Sequence, residues 1–256
     1  MLDPMPETVA APGPATGPEA GPETGRLRIR TATAADAPAV RTVLALAFSD
    51  NPMIRWALPD DGTRTEACAA WLGPSVDRYL ALGRVHVAER DGRTVGAAAW
   101  RLHGVDHAAH PVTSSLPTPA GALALLVGAA RAAEILTALG GATAASAPEG
   151  PVDYLNYLVV APGEQGRGIG RELVLAGVQE SDELARATWL CTTDPRNHAF
   201  YARLGYVELG RHELAPDGPG MVALWRGQSP AGSTAPGSAA PGSTAPGSAN
   251  QTTVSP

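Results

Sequence analysis

Gln165-Gly166-Arg167-Gly168-Ile169-Gly170 follows the apolar run Leu155-Asn156-Tyr157-Leu158-Val159-Val160 and precedes Arg171-Glu172-Leu173-Val174-Leu175-Ala176-Gly177-Val178. The order is that of a strand, a glycine-rich turn and a helix. Glycines let successive backbone N–H groups converge, because no Cβ stands in the way. A helix that starts at such a turn aims its unpaired N–H groups and its positive dipole end at the turn. The ligand group that suits this arrangement is an anion, phosphate first. Two common phosphate loops do not fit. Counted from Gly163, a Walker A loop places Gly168 correctly, but Ile169-Gly170 replaces Lys-Ser/Thr. A dinucleotide fingerprint accepts Gly166 and Gly168, but Arg171 stands at its third glycine, and the turn comes late in the chain.

Outward from the turn, residues 26–228 read as the folded part. Leu27, Ile29 and Thr31 alternate with Arg28 and Arg30, as in a strand. Thr33-Ala34-Ala35-Asp36 offers helix-capping residues, and Val40, Val43, Leu44, Ala47 and Phe48 follow at helical spacing up to Asp50-Asn51-Pro52. Residues 64–82 form a second helix with Trp71, Leu72, Val76, Tyr79 and Leu80 on one face. Val85–Glu89 and Thr94–Trp100, joined across Asp91-Gly92, read as a hairpin. An insert over 103–150 has an Ala/Leu-rich middle, 118–139, expected to be helical. After the glycine turn and its helix come a strand at Thr188–Thr192, a helix from Pro195 to Leu204 stopped by Gly205, and closing strands at Tyr206–Leu214 and Met221–Arg226. Helices alternate with strands only in the middle, so an α/β fold with a mixed sheet flanked by helices is expected.

Composition narrows the function. The net charge is −6, with no long basic run, so nothing marks a nucleic-acid partner. The most apolar segment, Ala120 to Ala130, is shorter than the ~20 residues a membrane span needs, and no basic region followed by an apolar run marks a secretory leader. Cys68 and Cys191 lie far apart without metal-site spacing and read as free thiols of a cytoplasmic protein, although one bridge between them stays open. His103, His107 and His110 are spaced like a metal cluster but lack Cys or carboxylate partners, so no metal is expected. Residues 1–25 repeat Gly-Pro-containing quartets, and 229–256 repeat Ala-Pro-Gly-Ser. Both ends lack the apolar content that ordering requires and are expected to be disordered extensions.

A second block, Asn197-His198-Ala199-Phe200-Tyr201-Ala202-Arg203-Leu204-Gly205-Tyr206, follows the first after one helix and one strand. Gln165-x-x-Gly168-x-Gly170 with the preceding strand, and Asn197 to Tyr206 after it, resemble two motifs of the GNAT superfamily of N-acetyltransferases. Val40–Pro52, the hairpin ending in Ala-Ala-Trp and Asp194-Pro195-Arg196-Asn197 are similar to puromycin N-acetyltransferase-like enzymes within it. The resemblance covers nearly all of 27–226, and least of all the 103–150 insert, which would overlie the acceptor site.

The resemblance implies a mixed, mostly antiparallel sheet with splayed central strands and acetyl-CoA in the gap. It implies that backbone groups of Leu158, Val159 and Val160 pair with the pantetheine amides. N–H groups across Gln165, Gly166, Arg167, Gly168, Ile169, Gly170 and Arg171 would hold the pyrophosphate. An N–H near Val160 would polarise the thioester carbonyl. Tyr201 would be the general acid for the departing thiolate. Asn197 would either cap its helix or bond the pantetheine. The base is left open among Glu89, His86, Asp50, Asn51, Asn156, Tyr154 and a water relay. The expected activity is acetylation of a small-molecule amine, with an aminonucleoside-type antibiotic first, by a monomer or homodimer. A protein acetyltransferase and a non-catalytic acetyl-CoA sensor are the alternatives.

Overall fold

The computed structural model describes residues 25–106 and 117–227. Apart from Gly25, both expected disordered ends, and the candidate metal residues His107 and His110, lie outside those residues.

The chain runs through β1 (Arg28–Thr31), α1 (Ala37–Phe48), α2 (Pro52–Ala57), α3 (Arg64–Leu82), β2 (Arg84–Arg90), β3 (Arg93–Arg101), α4 (Pro119–Val127), α5 (Ala129–Ser146), β4 (Val152–Val160), α6 (Ile169–Glu183), β5 (Ala187–Thr192), α7 (His198–Ala202), β6 (Val207–Glu213) and β7 (Gly220–Arg226). The strands form one seven-stranded sheet, ordered β1-β2-β3-β4-β5-β7-β6. All neighbours are antiparallel except β4 and β5, the pair joined by α6. Asp91 and Gly92, both at positive φ, turn the β2–β3 hairpin as its Asp-Gly pair requires.

Two differences from the sequence reading have plain causes. The insert is two helices rather than one over 118–139, because Gly128 at φ 84°, ψ 152° breaks the path between α4 and α5. The second break is α2, a short helix begun by Asn51 and Pro52, where an apolar pattern of six residues is too brief to show a period.

Apolar side chains fill both faces of the sheet. Leu44, Ile54, Trp71 and Val159 meet Leu123 and Ile135 of the insert on one face. Trp100, Leu155, Leu173 and Val174 pack with Tyr201 and Tyr206 on the other. Helix α6 is seated by Trp100, which is fully buried, against Gly177. Its C-terminal half is anchored by the fully buried Asp153, which accepts from Ser181 Oγ at 2.8 Å, Arg84 Nη2 at 3.3 Å, Arg186 Nη1 at 3.3 Å and the His103 N–H at 2.8 Å. A buried carboxylate is tolerable only with such a full set of donors. The anchoring holds the other end of α6, and the glycine turn before it, against the C-terminal end of β4. Cys68 is buried in the core and Cys191 is half-buried on β5, and both are free thiols. No helix among the described residues is long and apolar enough to cross a membrane.

Candidate functional site

Gly168 caps α6 in the left-handed conformation, φ 80°, and no side chain caps the helix. The first bond back into the turn is Glu172 N–H to the Gly168 carbonyl at 3.2 Å. The N–H groups of Ile169, Gly170 and Arg171 therefore have no partner within the helix. Gly166 is also left-handed, at φ 76°, and a Cβ on Gly166 or Gly168 would meet nothing within 4 Å. These two glycines are required by backbone conformation, and the space above them is open. Arg167 and Arg171 stand exposed beside the turn.

Next to this cradle, β4 and β5 part. Their parallel pairing ends at Leu155↔Leu190, while β3 stays paired with β4 through Gly96↔Val160. The register slips between Ala99 and Trp100, which leaves Asn156 as an extra residue in β4 at the point of parting. The Ala161 N–H bonds the Val95 carbonyl at 2.9 Å, so residues 161 and 95 form a hydrogen-bonded pair. Such pairs alternate along an antiparallel ladder. Val159 therefore bonds β3, while the N–H and C=O groups of Val160 and Leu158 face the gap. This corrects the expectation for Val159, whose backbone groups are turned away from the gap.

The Val160 carbonyl is itself occupied. Gln165 Nε2 donates to it at 3.1 Å, closing the turn onto the end of the strand. The Gln165 side chain thus holds the loop rather than facing outward to an anion.

A cleft of about 1020 Å³ joins the cradle to the gap. Leu158, Val160 and the glycine turn form one wall, with Asp50, Asn51 and Phe48 at the end of α1 and Asp194, Asn197 and Tyr201 after β5 on the others. Tyr201 is buried, with its ring 5.7 Å from Tyr206 and 4.9 Å from Phe200. Burial first, and Tyr206 second, push its hydroxyl well above the usual phenol range, so it carries its proton at neutral pH. Its hydroxyl has no side-chain or backbone partner among the described residues.

Asn197 holds the N-cap position of α7 but makes no capping bond, and its Nδ2 donates to Thr192 Oγ1 at 3.4 Å. The cap belongs to Asp194, which accepts from the Arg196 N–H at 2.9 Å and from the Arg196 guanidinium at 2.7 Å. The Arg196 bonds hold the Asp194 carboxyl below its usual range. Sequence reasoning missed Asp194 in this role, although Asp followed by Pro195 at the first helical position is a capping signal. The other end of the segment closes on Gly205 at φ 84°, with Tyr206 N–H bonded to the Tyr201 carbonyl at 3.1 Å.

Among the candidate bases, the structure separates near from far. His86 is buried under α6 against Glu180, 2.8 Å away, and Glu89 is bonded to Arg30 at the β1 edge. Neither lines the cleft. Tyr154 stacks on Trp189 with ring centroids 4.4 Å apart, on the paired part of β4. Asn156 sits at the bulge, and Asp50 and Asn51 line the cleft. Asn51 was noted in the sequence; its partner Thr193, 142 residues away, was not, since nothing local connects them.

The sequence matches the acetyltransferase (GNAT) family over residues 51–206, more than half of the chain. Solved structures share the fold. One is the histone acetyltransferase HPA2 and related acetyltransferase from Corynebacterium glutamicum, with a TM-score of 0.56 and 22% identity over 79% of this chain and 97% of that one. A Drosophila melanogaster polyamine N-acetyltransferase, which forms N-acetylagmatine, has a TM-score of 0.51 and 17% identity over 78% of this chain and 99% of that one. An agmatine N-acetyltransferase has a TM-score of 0.52 and 17% identity over 78% of this chain and 98% of that one.

Proposed function

The chain belongs to the acetyltransferase (GNAT) family, and from that premise we propose that it moves an acetyl group from acetyl-CoA to the primary amine of a small molecule. The similarity of Val40–Pro52 to puromycin N-acetyltransferase-like enzymes favours an aminonucleoside-type antibiotic as that amine, and with it a resistance role in the cytoplasm. The single observation that carries the reading is the open strand edge at Leu158 and Val160 running into the uncapped N-terminus of α6.

The residues present fit acetyl-CoA. An extended diamide needs alternating donors and acceptors, and the gap side of β4 offers them. A pyrophosphate needs several N–H groups converging without Cβ obstruction, and the turn from Gly166 to Arg171 offers those. The bound co-substrate supplies an acetyl group activated as a thioester. The protein then has four tasks. Leu158 and the Val160 N–H bind and orient the pantetheine. The amides of Ile169, Gly170 and Arg171, with Gly166, Arg167 and Gly168, hold the diphosphate, while Gln165 holds the turn. Another N–H near Val160 on the same edge would polarise the acetyl carbonyl. Tyr201, protonated at neutral pH, keeps a proton at its hydroxyl for the sulfur that leaves. Asn197, with Nδ2 committed to Thr192, offers its carbonyl oxygen to the pantetheine.

The small acceptor rests on the resemblance alone: α4 packs against α3 and α5 reaches β6 and β7, and none of their residues lines the cleft. A release assay for free CoA thiol, run over a panel of amines that includes puromycin, tests the reading. Thiol release with a small amine is expected. Release with peptides alone overturns the small-molecule part, and no acetyl-CoA binding at millimolar concentration overturns the whole. Removing residues 1–25 and 229–256 leaves the release unchanged if those ends are spacers.

A further inference from the structure

Asn51 stands where two walls of the cleft meet. Its Oδ1 accepts the Met53 N–H at 2.9 Å, which caps α2, and the Thr193 hydroxyl at 3.0 Å, which ties that corner to the end of β5. A backbone N–H only donates, so the amide is oriented by its network: oxygen toward α2 and β5, nitrogen away from both. Nδ2 has no partner among the described residues. It is not one of the buried unpartnered polar atoms, so it reaches open space. The residue lines the cleft beside Asp50 and Phe48, and Asp194 and Tyr201 line the same cleft.

A donor held in a fixed direction by two bonds, and left open, is a recognition element. The pantetheine amides have their partners on the other wall, along Leu158 and Val160. The ligand that approaches from the α1–α2 corner is the amine. We propose that Asn51 Nδ2 donates to an oxygen of the acceptor within three bonds of the nitrogen that is acetylated. Such an oxygen is the carbonyl of an α-amino amide or ester, or the hydroxyl of a vicinal amino alcohol. The site thereby selects amines with a neighbouring oxygen over simple alkyl amines, which leave the donor unpaired. A donor that gives up water when the amine binds and gains no partner loses about the worth of one hydrogen bond, so the discrimination is about tenfold.

This inference rests on the cleft being the acetyl-CoA site, and the test separates the two. Titration of the full chain with acetyl-CoA comes first; no binding removes the premise. With binding established, kcat/KM is measured for L-phenylalaninamide and for 2-phenylethylamine, which differ by the carboxamide. The lower basicity of the amide's amine favours it in every variant alike, so the readout is the change in the ratio. Asn51→Ser keeps a capping oxygen for Met53 and removes the amide. It lowers the ratio about tenfold, the size of one hydrogen bond, while acetyl-CoA affinity stays within about twofold. Asn51→Asp retains both accepted bonds and lowers the ratio likewise, which covers the case in which the serine variant folds poorly. Thr193→Val removes the tie alone and leaves the ratio within about threefold. An unchanged ratio in both Asn51 variants overturns the inference. So does an equal drop in Thr193→Val, or no acetylation of either amine by a chain that binds acetyl-CoA.

Discussion

Gln165 donates its side-chain amide to the backbone carbonyl of Val160, 3.1 Å away, and so joins the last residue of β4 to the turn that opens α6. Two elements of the cleft, the strand edge and the helix N-terminus, are held at one spacing by this bond. The start of the turn is also held by Glu164, which is bonded to Arg90 and whose N–H reaches the Ala161 carbonyl at 2.8 Å.

Gln165→Ala should therefore weaken acetyl-CoA binding by about tenfold, in line with one lost hydrogen bond and a freer loop. The residue is exposed, so the melting temperature should move by no more than a degree or two. Calorimetric titration beside a thermal melt separates the two effects. Equal affinity in the variant would show that the turn is held without this bond.

Tyr201→Phe should lower kcat by about a hundredfold while leaving acetyl-CoA affinity unchanged, because the ring stays and only the proton donor goes. Its ring contacts with Phe200 and Tyr206 are kept, so stability is retained. Steady-state kinetics against binding data gives the split. A variant with unimpaired kcat assigns the proton to water.

Gly177→Ala should destabilise the protein. A Cβ there would lie 2.3 Å from Trp100 Cε2 and Nε1, and Trp100 is fully buried with no room to withdraw. Overpacking costs about 1–3 kcal/mol, against about 1 kcal/mol gained from the helix preference of Ala over Gly. Urea unfolding should show a lower midpoint at an unchanged slope. A midpoint equal to or above that of the parent would mean that α6 shifts freely on the sheet, which the Asp153 anchoring opposes.

Acid should expose the bond between Asp36 and Arg30. Arg30 donates to both Asp36 oxygens, at 2.8 and 2.7 Å, and these bonds hold the carboxyl well below its usual range. A carboxyl with a depressed native pKa stabilises the fold above its unfolded value of about 3.9, and that stability is lost as pH falls from there toward the native value. Asp36→Asn should then be less stable than the parent by a constant amount above about pH 5, with the difference shrinking below about pH 4. Denaturant unfolding at several pH values measures it. A difference that stays constant down to pH 2 would assign the effect to packing.

Much of the order of elements could be read without the structure. The helix over residues 64–82, the Asp91-Gly92 hairpin and the start of α6 at its glycine turn all follow from contacts within a few residues. The break at Gly128 was less visible, since Ala and Leu on both sides give one continuous helical signal and a single glycine does not always stop a helix. His86 and Glu89 illustrate the reverse difficulty. Strand alternation places them on a face but not beside a given neighbour, and their true partners, Glu180 and Arg30, come from elements on either side of β2.

By itself the sequence determined the cradle: two left-handed positions that glycine tolerates, an uncapped helix start, and a tyrosine block at a set distance beyond it. These are local properties, decided by backbone sterics and spacing. The tertiary structure alone decided which backbone groups face the gap. Val159 turns to β3 while Leu158 and Val160 do not, because the alternation of a ladder depends on its register with a strand some sixty residues earlier. The same holds for Asn51. Its type was visible from the start, but its tie to Thr193 was not, because only folding brings that hydroxyl within 3.0 Å of it.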